Sequence, residues 1–248
     1  IDAVKASGRT SLTAPEGKQV CDAYGIPVPK EGVATTAAAA AKLASGMGYP
    51  VVLKIVSPDI LHKTEAGGVL VGVKSAADVK AGFAKILANA KKYDRKARIL
   101  GVQVQQMVGG GQEVIIGAVT DPSFGKLVAF GLGGVLVEVM KDITFRLAPA
   151  TKDDALSMLD GIAAAEMLKG VRGADPVNRT ALAAVIRNVS QLVADFPEIA
   201  EMDLNPVFAS KAGAIAADVR IVCDWSPAPA RFRPKHDDIV RDMNRIMK

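Results

Sequence analysis

Lys54 interrupts the apolar run Val51–Val56, and eight residues later His62 and Lys63 stand side by side in the segment "SPDILHKTEAGGV". In an extended strand Lys54 shares a face with Val52 and Val56, which sets its ammonium among apolar neighbours. An unpaired buried cation costs several kcal/mol in order of magnitude, so either an anion meets it or the strand lies at an edge and the side chain reaches water. His62 is one of 2 histidines. A neutral imidazole can take a phosphoryl group as a nucleophile, and Lys63 beside it can neutralise phosphate charge. Gly67 and Gly68 close this loop, and glycine amides can approach phosphate oxygens closely.

A second candidate group lies in "EMDLNPVFASKAGAIAADVRI". Asn205 ends one apolar stretch and Asp218 falls in the next, so a hairpin can bring an amide oxygen and a carboxylate together, with Asp203 as a substitute. Hard oxygen ligands of this kind suit Mg²⁺ held together with nucleotide phosphates.

These residues need elements to position them. Val51–Val56, Val69–Val73, Ile99–Val108, Glu113–Val119, Leu127–Phe130, Val135–Met140 and Ala214–Val222 read as strands. Ala76–Tyr93, with Val79, Phe83, Ile86 and Leu87 at three-four spacing, reads as an amphipathic helix. A second helix is predicted from Asp175-Pro176, a capping side chain followed by a first-turn proline. "TTAAAAAKLA" is a further helix on propensity. The linker Asp121–Gly125 is too short for a crossover helix, so its two strands form an antiparallel hairpin. Hairpins mixed with helix-separated strands predict an α+β chain, with Gly109–Gly111 as a hinge between two lobes.

Composition narrows the classes. A chain of 248 residues with 50% hydrophobic content can build a sizeable core without staples. Cys21 and Cys223 stand in no CxxC or Cys/His spacing, which predicts neither disulfides nor zinc and fits a reducing, cytoplasmic setting. No apolar run approaches the ~20 residues of a membrane span, and "IDAVKASGRT" lacks the pattern of a signal peptide. The net charge of +5 comes from 31 basic residues scattered among 26 acidic ones, with only 4% aromatic residues, so no nucleic-acid platform is predicted. GxxxxGK[ST], HExxH and GxSxG motifs are absent, and "GLGG" at Gly131–Gly134 is not a GxGxxG.

Taken as an ordered set, "YPVVLKIVSPDILHKTEAGGV", "VQQMVGGGQEVIIGAVTDPSFGKLVAFGLGGVLVEVMKDITFRLAP" and "MDLNPV…AADVRI" resemble the ATP-grasp domain of nucleoside-diphosphate-forming acyl-CoA synthetases. The resemblance is strongest to the beta subunits of ADP-forming acetyl-CoA synthetases, with succinyl-CoA synthetase beta more distant. It runs from about Leu12 to Trp225. It implies an N-terminal helix region at residues 1–20, a small lobe at 21–107, a large lobe at 108–225 and a C-terminal extension at 226–248, with the nucleotide between the lobes.

The resemblance also implies roles. Lys54 matches the strand lysine on the ATP α-phosphate, and Gly67 and Gly68 fall in the loop over the phosphates. Gln106, Met107 and Val108 match the interlobe segment at the adenine, Glu113 the ribose contact, and Asn205 and Asp218 the Mg²⁺ ligands. His62 matches a histidine that relays the γ-phosphoryl group, Glu138 an acidic residue beside the phosphohistidine, and Arg146 an anion-binding position. The implied activity is carboxylate + CoA + ATP = acyl-CoA + ADP + phosphate, completed by a CoA-binding alpha subunit on a separate chain that supplies the small carboxylate and CoA sites. The residues themselves leave open a self-sufficient ATP-grasp carboxylate–amine ligase and a non-catalytic nucleotide-sensing subunit.

Overall fold

A computed structural model of the chain describes residues 1–60, 62–134, 142–171, 173 and 175–226. Glu138 and the expected strand Val135–Met140 lie outside the described residues, as does the extension beyond Ser226.

The described strands form two antiparallel sheets, and the expected α+β architecture is observed. The first sheet has the order β1-β4-β2-β3, built from β1 (Glu31–Ala34), β2 (Val51–Val56), β3 (Val69–Val73) and β4 (Gly101–Gln106). Helices α3 (Ala37–Met47) and α4 (Ala76–Tyr93) pack on one of its faces. Their threonine and serine caps, Thr36 on Ala39 N and Ser75 on Asp78 N, satisfy first-turn amides. Val79, Phe83 and Ile86 of α4 are buried against Leu53 and Ile55, so the periodicity in the sequence corresponds to a real packing face.

The second sheet has the order β10-β8-β5-β6-β7, with β9 also paired to β8. Its strands are β5 (Gln112–Asp121), β6 (Gly125–Leu132), β7 (Ile143–Leu147), β8 (Ile199–Ser210), β9 (Gly213–Ala216) and β10 (Val219–Cys223). β5 and β6 make the expected hairpin, paired from Asp121–Gly125 to Val114–Leu132. Helices α5 (Lys152–Asp160) and α6 (Arg179–Asp195) cover the face that carries Val128, Phe130 and Leu204.

Three expectations need correction. The last long helix begins at Arg179 with Asn178 as its cap, not at Asp175-Pro176. Val177 N donates to Leu168 O and Asn178 N to Ser210 O, and these contacts hold the preceding residues out of the helix. The expected strand Ala214–Val222 is two strands, broken at Ala217 and Asp218. Finally, Cys21 and Ile26 belong to the core under the second sheet, although residues from 21 onward are expected in the small lobe. The helix that carries Cys21, α2 (Ala14–Ala23), contacts β10, while the amides of Leu12 and Cys223 pair with Ile221 O and Thr10 O. The N-terminal segment is therefore tied to the second sheet before the chain enters the first.

Candidate active site

β2 lies between β4 and β3, so Lys54 is an interior residue, and it is 7% exposed. The edge-strand alternative is thereby excluded. Its side chain leaves the first sheet on the face opposite the Leu53–Ile55 core and meets the second sheet. Nζ donates to Ala217 O at 2.8 Å and to Asp218 Oδ1 at 2.9 Å. The anion that the buried cation requires is thus a carboxylate brought in from 164 residues away in the sequence.

Asp218 owes this position to an irregular ladder. Leu204 pairs with Val219 and Val207 with Ala216, which sets Asn205-Pro206 opposite Asp218 and Ala217. The pairing of β5 with β8 shifts register between Val114 and Ile116, so β8 carries an extra residue there. Such a bulge re-aims side chains. Leu204 and Val207 are buried, while Asn205 is exposed on the side of Asp218. A proline inside a strand is the sequence signal for this bulge.

Lys63 is the second cation on Asp218, with Nζ at 3.4 Å from Oδ1 and 3.5 Å from Oδ2. Burial pushes the Asp218 carboxyl up, but Lys54 and Lys63 outweigh it and hold the group below the usual carboxylate range. Asp203 shares the outward face with Asn205, and burial together with the charges of Glu201 and Asp218 raises its carboxyl against the opposing pull of Arg220. Asn205 and Asp218, with Asp203 nearby, form a hard-oxygen set on one face. Among the described residues no cluster of three or more His, Cys, Asp or Glu could cage a metal without other ligands. Few protein oxygens completed by phosphate oxygens and water is the usual Mg²⁺ arrangement, so the donor set fits that ion.

His62 precedes Lys63 and its side chain is 66% exposed, with Nδ1 at 4.0 Å from Glu65 Oε1. The loop is a closed turn in which Ala66 N donates to His62 O, Gly67 N to Thr64 O and Gly68 N to Lys63 O. The amides of Gly67 and Gly68 thus have carbonyl partners inside the loop, which corrects the expectation that they are free to meet phosphate. The need for glycine at both positions has a packing cause. Gly67 has φ +60, and a Cβ on Gly68 would lie 2.5 Å from Ile55 Cγ2.

The remaining candidates are more dispersed. Gln106 is half-buried, Met107 is 38% exposed, and their amides donate to Lys30 O at 2.8 Å and Pro50 O at 3.3 Å, pinning the segment that leads out of the first sheet. Val108 follows, half-buried. Glu113 is exposed on β5, and its carbonyl accepts from Gly133 N. Arg146 is not brought to this cluster. It lies on β7, four strand spacings or roughly 19 Å from β10, and its guanidinium bonds Phe145 O and Ser157 Oγ on the helix-covered face.

The structure also adds residues that the sequence reading missed. Gln103 and Gln105 alternate with buried Val102 and Val104 on β4, yet both are buried. Gln105 Nε2 donates to Glu31 at 3.1 Å, and burial raises the Glu31 carboxyl even though Gln105, Gln103 and Lys54 act the other way. Gln103 Oε1 has no hydrogen-bond partner among the described residues. The alternating pattern "GVQVQQ" within the expected strand Ile99–Val108 was the available signal.

The chain has clear relatives. A family model described as an ATP-grasp domain matches residues 3–223. The beta subunit of an ADP-forming acetate–CoA ligase (I) from Pyrococcus furiosus is 46% identical over 222 residues, covering 90% of this chain and 95% of that subunit. An ADP-forming 4-hydroxybutyrate–CoA ligase from Nitrosopumilus maritimus is 47% identical over 89% of this chain, which spans 32% of that longer protein. A dinucleotide-forming acetyl-coenzyme A synthetase 1 from Ca. Korarchaeum cryptofilum superposes with a TM-score of 0.87 at 40% identity in its complex with coenzyme A and Ca-AMPCP, covering 90% of this chain and 97% of that one. In complex with coenzyme A and Mg-AMPPCP, with its phosphohistidine segment pointing towards the nucleotide binding site, the same protein gives a TM-score of 0.79 at 38% identity and the same coverage.

Proposed function

The chain belongs to the ATP-grasp domain family, and from that membership we propose that it is the ATP-binding, phosphoryl-transferring subunit of an ADP-forming acyl-CoA synthetase. The observation that carries the reading is the meeting of Lys54, Lys63 and Asp218 beside exposed His62. Two cations and a carboxylate meeting between two sheets, with a histidine next to one of the cations in the chain, support this reading.

In the proposed reaction an imidazole nitrogen of His62 attacks the γ-phosphorus of ATP. The N–P bond forms, the bond to the bridging β–γ oxygen breaks, and ADP leaves. Lys54 holds the phosphate chain. Asp218 and Asn205 would hold Mg²⁺, which would supply charge neutralisation for the phosphates when bound. The phosphoryl group then passes to a carboxylate, and CoA displaces phosphate from the acyl phosphate on an alpha subunit. Gln106, Met107 and Val108 receive the adenine and Glu113 the ribose. Glu138 and Arg146 belong to this reading only through resemblance, and the position of Arg146 argues for a structural role.

We assign the alpha subunit to a separate chain, by analogy with the relative named as a beta subunit. The site is assigned to the cytoplasm because Cys21 and Cys223 are both free and buried; no helix among the described residues is long and apolar enough to cross a membrane. The substrate class is a small carboxylate, by analogy with relatives named for acetate and 4-hydroxybutyrate.

Incubation with γ-labelled ATP and Mg²⁺ tests the core of the proposal. The expected product is an acid-labile, base-stable label that His62→Ala abolishes. Equal labelling of the two proteins would remove His62 from the reaction.

A further inference from the structure

Two cations reach Asp218, and they differ in how they are held. Lys54 is locked in an interior strand, and besides the carboxylate it has Ala217 O as an acceptor. Lys63 belongs to the loop that carries His62, and it touches both carboxylate oxygens at the longer distances of 3.4 and 3.5 Å.

The ends of that loop are tied to the first sheet and its surroundings. Gly68 O accepts from Ile55 N, Gly67 O from Asn89 Nδ2, and Asp59 Oδ2 from Arg98 N. Its middle is tied to the second sheet through Lys63 and Asp218. The Asp218 side chain is 35% exposed and the Lys63 side chain 19%, so this is a partly screened contact between point charges. A hard divalent cation binds a carboxylate oxygen at about 2.1 Å and carries twice the charge of an ammonium. It therefore displaces Lys63 more readily than Lys54, whose second acceptor is a backbone carbonyl.

We infer that Lys63 is a positioning residue: it latches the His62 loop to Asp218, and a divalent cation that takes this carboxylate releases the loop. The inference rests on the reading of Asp218 as a metal ligand and His62 as a phosphoryl carrier. It gives one carboxylate two successive partners, so that metal loading and freedom of the phosphoryl-carrying loop are coupled without a separate regulatory site.

The test uses the full chain without nucleotide and Mn²⁺ alone as the probe. Bound Mn²⁺ is counted by electron paramagnetic resonance, and backbone hydrogen exchange is followed in a peptide spanning the loop, with an α4 peptide as the folding control. In the wild type, exchange of the loop amides rises roughly 3–10-fold on Mn²⁺ saturation. Lys63→Met and Lys63→Gln exchange at the raised rate before metal is added, do not respond to it, and bind Mn²⁺ severalfold more tightly. Mn²⁺ binding that depends on Asp218, tested with Asp218→Asn, but leaves loop exchange unchanged overturns the latch and leaves the metal reading standing. Mn²⁺ binding equal in wild type and Asp218→Asn overturns the metal reading and the release step with it. The His62 label is an independent readout, so a failure of the relay is distinguished from a failure of the latch.

Discussion

Lys54 is the residue on which the candidate site turns, because burial forces its charge to have a partner and the fold supplies one from the other sheet. That partner also explains how the site can exist before nucleotide enters. Asp218 neutralises the strand lysine, which in the proposed reaction then meets the phosphate chain of ATP. Lys54→Met keeps most of the unbranched side chain and removes the ammonium with its hydrogen bonds to Ala217 O and Asp218. Phosphohistidine formation is expected to fall about 100-fold or more, since a fixed cation at a reacting phosphate chain is worth roughly 3 kcal/mol or more. Stability is expected to change by no more than about 1–2 kcal/mol, because Lys63 still faces Asp218 and methionine fills the space. Single-turnover labelling and chemical denaturation of the same preparation separate the two effects. A variant that loses labelling only in proportion to its folded fraction would show that Lys54 is structural.

At the level of elements, helix α2 joins the N-terminus to the second sheet, and its start is held by charge. Thr13 and Glu16 form a capping box in which Thr13 N donates to Glu16 Oε2 at 2.7 Å, and Arg9 forks onto both Glu16 oxygens at 2.6 and 2.9 Å. The Arg9 hydrogen bond, reinforced by those from Thr13, outweighs burial and lowers the Glu16 carboxyl from 4.5 to about 2. A carboxyl depressed in the folded state contributes stability above its unfolded pKa and loses it as pH falls through the folded value. Glu16→Gln is therefore expected to cost about 1–2 kcal/mol at pH 7, after discounting for solvent screening. The deficit should shrink as pH falls from 4.5 towards 2. Urea denaturation of both proteins across that range checks it, and a deficit independent of pH would assign the loss to helix propensity instead. Element type was legible wherever one local pattern dominated. The three-four spacing of Val79, Phe83 and Ile86 specified α4, and the short Asp121–Gly125 linker specified a hairpin. The start of α6 was not legible, because Asp175 and Asn178 are both competent caps and the choice is made by distant hydrogen bonds to Leu168 and Ser210. The break before β10 was hidden for the same reason: it lies opposite Asn205-Pro206, where β8 carries its extra residue against β5, and residues 214–222 alone carry no sign of that. Lys54, His62 and Asp218 could be singled out by residue type, but their joining depends on that nonlocal geometry.

For the whole molecule, the proposed reaction divides its parts between the two sheets. The first carries Lys54 and the His62 loop, and the second carries Asn205 and Asp218, the proposed oxygen ligands. The matched domain spans 95% of the acetate–CoA ligase beta subunit but 32% of the 4-hydroxybutyrate–CoA ligase, so the longer protein has some two-thirds of its length outside the match. If that remainder corresponds to the alpha subunit, this chain should perform only the first half-reaction. With Mg²⁺ present, labelled ADP and unlabelled ATP are expected to exchange label through reversible phosphorylation of His62, since the reverse step needs nothing beyond the nucleotide site. Acetate and CoA should leave that exchange rate unchanged and yield no acyl-CoA. Adding the alpha subunit of the Pyrococcus furiosus relative, or the cognate chain recovered by co-purification, should then give acyl-CoA at a rate that titrates to a fixed subunit ratio. Acyl-CoA formed by the chain alone, in amounts that follow its own concentration and vanish in His62→Ala, would instead place the acceptor chemistry within these two sheets and make the separate partner unnecessary.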